Sequence, residues 1–215
     1  MAEMRFQDRA DAGRALGARL AELAPVNPLV LALPRGGVPV GFEVARALGC
    51  ELDLLMVRKL GVPGQPELAM GALAEDDVVI RNEVILGLAG VDEESFERTL
   101  EAERQTMARR AAMYRADQER LDPRGHTVLV VDDGLATGAT ALAAIETLRF
   151  RGADEVWVCV PVAPADTVEV VGSVADRVVV LSQPRRFSAV GAWYNDFSQT
   201  EDEEVRTLLA RSRLR

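Results

Sequence analysis

A single α/β domain, built on a parallel sheet with helices on both faces, is the fold class that the 215-residue sequence predicts. Three observations predict it. Short continuous apolar runs (LVLAL, LDLLMV, TVLVV, EVWVCV and RVVVL) alternate with stretches of helical periodicity, the pattern of strands buried on both faces. An apolar content of 48% is ample for one buried core at this length. Glycine-rich loops follow directly on two of those runs and lead into helices, giving the order strand, loop, helix.

Taken in order, residues 6–24 place Phe6, Ala10, Gly13, Leu16, Leu20 and Leu23 on one face of an amphipathic leading helix. The strand 29–33 is closed by Pro34, Arg35, Gly36 and Gly37, and VPVGFEVARALG then reads as a helix ending at Gly49. A second strand, 52–57, carries Arg58 and Lys59 at its carboxyl end before the turn-rich GVPGQPE. LAMGALAED and then VVIRNEVI alternate weakly and read as a hairpin or flap, with the flap itself at Gly61 to Glu75. Asp92 caps a long charged helix to about Tyr114, with Glu93 and Glu94 in the first turn and a narrow apolar stripe of Phe96, Leu100, Met107, Ala111 and Tyr114. Strands follow at 127–131, 155–160 and 177–181, with a helix over 141–151 between the first two. The segment 182–195 is irregular and aromatic, and EDEEVRTLLARS closes as a helix. No repeat or linker interrupts the chain. One domain over 1–215 is expected, with a core at about 29–181, flap and long helix at about 61–120, and a hood segment at about 182–215.

Lys+Arg 25 against Asp+Glu 34 leaves a net charge of −9, which argues against nucleic-acid and anionic-membrane partners. No apolar run approaches the roughly 20 residues that span a bilayer, and MAEMRFQDRADAGRAL has no signal-peptide core, so a cytoplasmic chain is expected. Cys50 and Cys159 lie in apolar context without a CxxC or Cys/His cluster and read as buried reduced thiols. His126 is the only histidine, which removes any mechanism needing two imidazoles. Lys59 is the only lysine in an arginine-biased chain, and it falls next to a strand end.

Ligands of open parallel sheets sit beyond the carboxyl ends of the strands, and three of those loops are chemically unusual. In VVDDGLATGAT a buried strand emits two carboxylates and then a Gly/Thr loop that opens a helix. Glycines, unpaired helix-start amides and the Thr137 and Thr140 hydroxyls suit a phosphate. Asp132 and Asp133, acceptors only, suit ribose hydroxyls or a divalent cation shared with hydroxyl and pyrophosphate oxygens. PRGG puts a guanidinium among backbone donors, and Arg58 with Lys59 adds cations. PRGG alone reads first as an ordinary turn, and Arg58 with Lys59 alone as strand-end solvation; their convergence with the acid-pair loop at one sheet edge favours a binding site. No GxxxxGK[ST] stretch exists, no GxGxxG follows the first strand, and no lysine follows position 59 as a receiver domain requires.

VLVVDDGLATGAT resembles the phosphoribosyl-diphosphate (PRPP) motif of type I phosphoribosyltransferases, and PRGG and Arg58-Lys59 are similar to that family's pyrophosphate loop and following basic pair. The likeness spans roughly residues 29–181. It implies a type I phosphoribosyltransferase-like fold with a flap and a small hood made by the chain ends. It implies that Asp132 and Asp133 bind the ribose hydroxyls and a linked Mg²⁺. Gly134 and Leu135 would lead into a 5′-phosphate cradle of Ala136, Thr137, Gly138, Ala139 and Thr140. Arg35, Gly36, Gly37, Arg58 and Lys59 would contact pyrophosphate, with Arg35, Lys59 and the two aspartates carrying catalysis. A cis peptide between Pro34 and Arg35 is also implied. One departure matters: Ala136 stands where oxopurine-type members carry an aspartate, which puts hypoxanthine or guanine specificity in doubt.

The expected activity is Mg²⁺-dependent transfer of ribose 5-phosphate from PRPP to a nitrogenous acceptor, a nucleobase being the first choice, with release of pyrophosphate. The alternative is a non-catalytic PRPP or nucleotide sensor on the same fold. Phe187, Trp193 and Tyr194 are candidates to stack on the acceptor, or else anchor the returning tail. The narrow stripe on the long helix and the family's usual dimers suggest a homodimer.

Overall fold

The computed structural model describes residues 5–115 and 120–213, without the side chains of residues 66, 67 and 76. In chain order the helices and strands are α1 (Arg9–Leu23), β1 (Pro28–Ala32), α2 (Gly37–Leu48), β2 (Glu51–Leu54), β3 (Val57–Val62), β4 (Gln65–Ala74), β5 (Val78–Arg81), α3 (Glu83–Ala89), α4 (Glu93–Arg115), β6 (Thr127–Val131), α5 (Ala139–Phe150), β7 (Glu155–Val162), α6 (Ala165–Gly172), β8 (Arg177–Ser182) and α7 (Asp202–Ser212). The core sheet has the order β2-β1-β6-β7-β8 with every neighbouring pair parallel, and β3-β4-β5 form a separate antiparallel sheet.

Strand side chains alternate between two faces, so each apolar run feeds two cores at once. Val30, Ala32, Leu129 and Val131 pack with Leu16 and Leu20 of α1, Val38 and Val44 of α2 and Val205 of α7. Leu29, Leu31, Val128 and Val130 pack instead with Ala144, Ile145 and Leu148 of α5 and Val171 of α6. Helix α1 seats closely on α2. A Cβ at Gly13 would stand 2.7 Å from the Val40 carbonyl oxygen, and one at Gly17 would stand 2.7 Å from Ala47 Cβ.

Phe6 lies outside the leading helix that the periodicity assigned to it. Asp8 caps α1 by accepting from the Asp11 amide at 2.7 Å. Phe6 instead donates its amide to Trp193 O at 2.9 Å and accepts from the Asn195 amide at 2.9 Å, while the Asp196 amide donates to Gln7 O at 2.9 Å. The two chain ends thereby pair to form the hood.

The run 52–57 is two strands rather than one. β2 stops at Leu54, the Leu55 amide donates to Ala32 O, and β3 starts at Val57 as the first strand of the antiparallel sheet. Arg58 and Lys59 therefore sit at the base of the flap, the β3–β4 hairpin that turns at Pro63 and Gly64. VVIRNEVI is likewise split. Only its first half is strand, because Asn82 accepts from the Ile85 amide at 3.1 Å and starts α3.

Asp92 caps α4 as expected, accepting from the Ser95 amide at 2.8 Å. Phe96, Leu100, Met107 and Tyr114 are buried in this chain's own core. The stripe is consumed inside the domain and gives no argument for a second copy. No helix among the described residues is long and apolar enough to cross a membrane. Cys159 is buried and Cys50 only half-buried, both as free thiols.

The end of α4 is tied down by a buried cation. Arg115, 6% exposed, donates to Asp53 at 3.2 Å, to Glu75 at 2.5 Å and to the Leu54 carbonyl, joining α4 to β2 and the base of the flap, where β4 ends. Arg120 Nη1 and Arg213 Nη2 lie farther off, each 3.7 Å from Glu75 and Asp53 respectively. Arg115→Met removes the nearest cation and hydrogen-bond donor from two buried carboxylates and should cost about 3 kcal/mol in urea denaturation; a loss below about 1 kcal/mol would mean that Arg120 and Arg213 take over its role.

Nearby, the Tyr114 hydroxyl donates to Asp202 Oδ1 at 2.5 Å, linking α4 to α7. Burial first, and Asp202 second, push this phenol from the usual value of 10 up to about 12. A raised folded-state value means that its stabilising contribution is whole below pH 10 and is lost as pH rises through about 12. Thermal melts across that range should fall less steeply for Tyr114→Phe than for the wild type.

Candidate functional site

The strand order places a switch point between β1 and β6. The chain steps outward from β1 to β2 and later returns on the other side of β1, so the loops after β1 and β6 part around a crevice. The Leu33 amide donates to Val131 O at 2.9 Å at the mouth of that crevice. Beyond it the Pro34–Arg35 peptide bond is cis. A Cβ at Gly36 would lie 2.0 Å from Asp133 Oδ2, and one at Gly37 would lie 2.5 Å from Val131 O. Only glycine lets this loop lie flush against the end of β6.

The two aspartates are crowded. Asp132 Oδ1 accepts from the Asp133 amide at 2.8 Å, Asp133 Oδ2 accepts from Arg9 Nε at 2.8 Å, and the Tyr194 hydroxyl donates to Asp133 O at 2.5 Å. Burial and then the Asp133 charge push the Asp132 carboxyl well above the usual carboxylate range. Burial also raises Asp133, with Arg9 opposing it. Such a pair is short of donors, and hydroxyl groups or a cation relieve it. Among the described residues no group of three or more His, Cys, Asp or Glu side chains is placed to hold a metal by itself. A cation at this pair would take most of its ligands from a bound molecule and water, which fits Mg²⁺ held by one or two carboxylates plus phosphate oxygens.

Past the pair, Leu135 is buried and its amide donates to Val162 O at 3.0 Å, so Gly134 and Leu135 support the loop from beneath. Thr167 Oγ1 donates to Ala136 O at 2.8 Å and fixes the loop to α6. Gly138, at φ 75°, turns the chain into α5 with no side-chain cap. The Ala139 amide makes a long contact to Thr137 Oγ1 at 3.5 Å, and the Thr140 hydroxyl lies beside it at the helix's positive end.

A cavity of about 680 Å³ is lined by Pro34, Arg58, Lys59, Asp132 and Thr140, which gathers residues from all three expected loops. Thr99 and Glu103 of α4 line it too, and neither carries a motif that sequence reading could recognise. Arg58 Nε donates to Glu103 Oε2 at 2.6 Å, so its charge is tied to α4. Arg35 turns away from the cavity: Nη1 lies 3.7 Å from Asp202 Oδ1 and 3.9 Å from Glu201 Oε2. Trp193 and Tyr194, at 7% and 5% exposure, pack on Phe6 and Val162 and act as anchors of the tail. Phe187 is half-buried beside them. A larger, more open cavity of about 970 Å³ lies behind α4 and shares no residue with this site.

The model of the phosphoribosyl transferase domain matches residues 8–191. Two curated Mycobacterium tuberculosis proteins, MT0597 and Rv0571c, each provisionally named a phosphoribosyl transferase, are 46% identical over 207 residues, which is 96% of this chain and 47% of theirs. The chain thus spans about half the length of the curated relatives it matches. The crystal structure of TT1426 from Thermus thermophilus superposes with a TM-score of 0.86 at 43% identity, covering 97% of this chain and 99% of that one. Since the matched span holds both crevice loops, the acid pair, the flap and the whole core sheet, the chain belongs to the phosphoribosyl transferase domain family.

Proposed function

We propose that this chain binds PRPP in the crevice between β1 and β6 and transfers its ribose 5-phosphate to a nitrogenous acceptor, a nucleobase or a related ring, releasing pyrophosphate. The observation that carries this reading is the single cavity lined by Pro34, Lys59, Asp132 and Thr140. The 5′-phosphate would sit on the first-turn amides of α5 with the Thr137 and Thr140 hydroxyls. Asp132 and Asp133 would receive the ribose hydroxyls. The backbone of the 34–37 loop and the Lys59 ammonium would face pyrophosphate. Mg²⁺, when bound, supplies charge neutralisation on the pyrophosphate oxygens.

In the transfer, the bond between C1 and the pyrophosphate oxygen breaks, pyrophosphate leaves with the electron pair, and the acceptor nitrogen bonds to C1 and loses its proton to solvent. Lys59 opposes the charge that gathers on the leaving group, and the aspartates oppose the cationic character of the ribose. The β3–β4 hairpin and α4 wall the cavity, limiting hydrolysis of the activated sugar. No covalent nucleophile is required. Ala136 offers no carboxylate to an oxopurine ring nitrogen, so an acceptor that lacks this requirement fits better. Of Phe187, Trp193 and Tyr194, only Phe187 keeps exposed surface for that acceptor.

A second reading, a PRPP-binding regulator without turnover, draws support from Arg35, whose guanidinium faces Asp202 and Glu201 rather than the cavity. Pyrophosphate release measured across purines, pyrimidines and small amides separates the two. Release with one acceptor class is expected; tight PRPP binding with no release from any acceptor supports the regulator instead. Calorimetry with PRPP and Mg²⁺ should show Asp132→Asn binding roughly 10–100-fold more weakly, as loss of a charge-assisted bond requires. An unchanged affinity would remove Asp132 from the ribose site.

A further inference from the structure

We propose that Arg9 is a positioning residue of the sugar site: it holds the Asp133 carboxylate where a ribose hydroxyl meets it, and so sets how strongly the site distinguishes ribose from deoxyribose. The inference rests on the PRPP reading above.

Arg9 opens α1, far in sequence from any motif, yet its side chain is only 12% exposed and that of Asp133 only 15%. Three contacts hold the guanidinium. Nε donates to Asp133 Oδ2 at 2.8 Å, Nη1 donates to Ser198 O at 2.6 Å, and Cζ lies 4.0 Å from the centre of the Phe197 ring. Gly36 closes the box, since a Cβ there would stand 2.0 Å from Oδ2 and 3.2 Å from Arg9 Nε. With Oδ2 committed to Arg9, Oδ1 is the oxygen that accepts from the ligand.

The other α1 arginines differ in kind. Arg14 and Arg19 pair with neighbours on their own helix and are each 51% exposed, the setting in which ion pairs contribute little. Arg9 instead joins three segments at one point: α1, seated on α2 through Gly13 and Gly17; the tail at Phe197 and Ser198; and the loop after β6. A carboxylate bonded to an immobilised guanidinium and backed by Gly36 discriminates by hydroxyl geometry, whereas a rotating one accepts from water when the hydroxyl is missing.

The test titrates the full chain by calorimetry with ribose 5-phosphate and with its 2-deoxy and 3-deoxy analogues. Wild-type protein should prefer ribose 5-phosphate over at least one analogue by about tenfold or more. Arg9→Gln should bind ribose 5-phosphate about tenfold more weakly and bring that ratio near one. Arg9→Lys should recover part of the ratio, because an ammonium reaches the carboxylate but does not also stack on Phe197 and bond Ser198. If Arg9→Gln does not fold, a ratio for Arg9→Lys below that of the wild type supports the proposal. A ratio unchanged in both variants, with or without a loss of melting temperature, makes Arg9 merely structural and overturns the proposal. A wild-type chain that binds PRPP with Mg²⁺ but none of the three sugar phosphates overturns this inference and leaves the PRPP reading standing, whereas one that binds neither overturns both.

Discussion

The contact on which the rest of the site depends is the approach of two glycines to the end of a strand. Gly36 and Gly37 bring the loop after β1 so close to Val131, Asp132 and Asp133 that a Cβ at either position meets an oxygen at 2.5 Å or less. Because the loop lies flush, Asp133 is boxed against Arg9, and the Tyr194 hydroxyl reaches its carbonyl. Both chain ends are thereby fastened to the crevice. A bulkier residue in the loop would displace the acid pair before it touched any ligand, so packing alone requires glycine at both positions.

Electrostatics at the crevice run against the average of the molecule. The net charge is −9, and two adjacent carboxylates sit at the carboxyl end of β6. Yet Arg9 is held against one of them, Lys59 lines the same cavity as the other, and α5 turns its positive end toward the loop. A Debye length of about 8 Å at physiological salt lets these near neighbours outweigh the distant acids. The crevice thus offers donors for an anion, acceptors for hydroxyls and a place for a cation to be shared, a combination that a sugar phosphate satisfies and a simple phosphate does not.

Much of this was legible in the sequence where the signal is local. The β-branched runs of the core strands, the Asp92 cap and the adjacency of Asp132, Asp133 and the Gly/Thr loop all report short-range physics. The break between β2 and β3 was hidden because Leu55 and Met56 are both buried, so no polar or turn-forming residue marks it. Asn82 looked like part of a strand because its capping bond is formed only once α3 exists. Arg9 looked like any arginine of an amphipathic helix, since its partners lie 124 and 189 residues away. Arg35, read as a pyrophosphate contact from its motif, faces Glu201 and Asp202 at the start of α7, which no local pattern connects with it.

The central claim is that the crevice between the loops after β1 and β6 is where a phosphorylated ribose binds. The most direct measurement is a crystal structure of the full chain grown with PRPP and Mg²⁺. The account predicts the 5′-phosphate on the amides at the start of α5, ribose hydroxyls on Asp132 and Asp133, and pyrophosphate between the 34–37 backbone and Lys59. Ordered PRPP in the arginine-lined cavity behind α4, with the crevice holding only water, would contradict it.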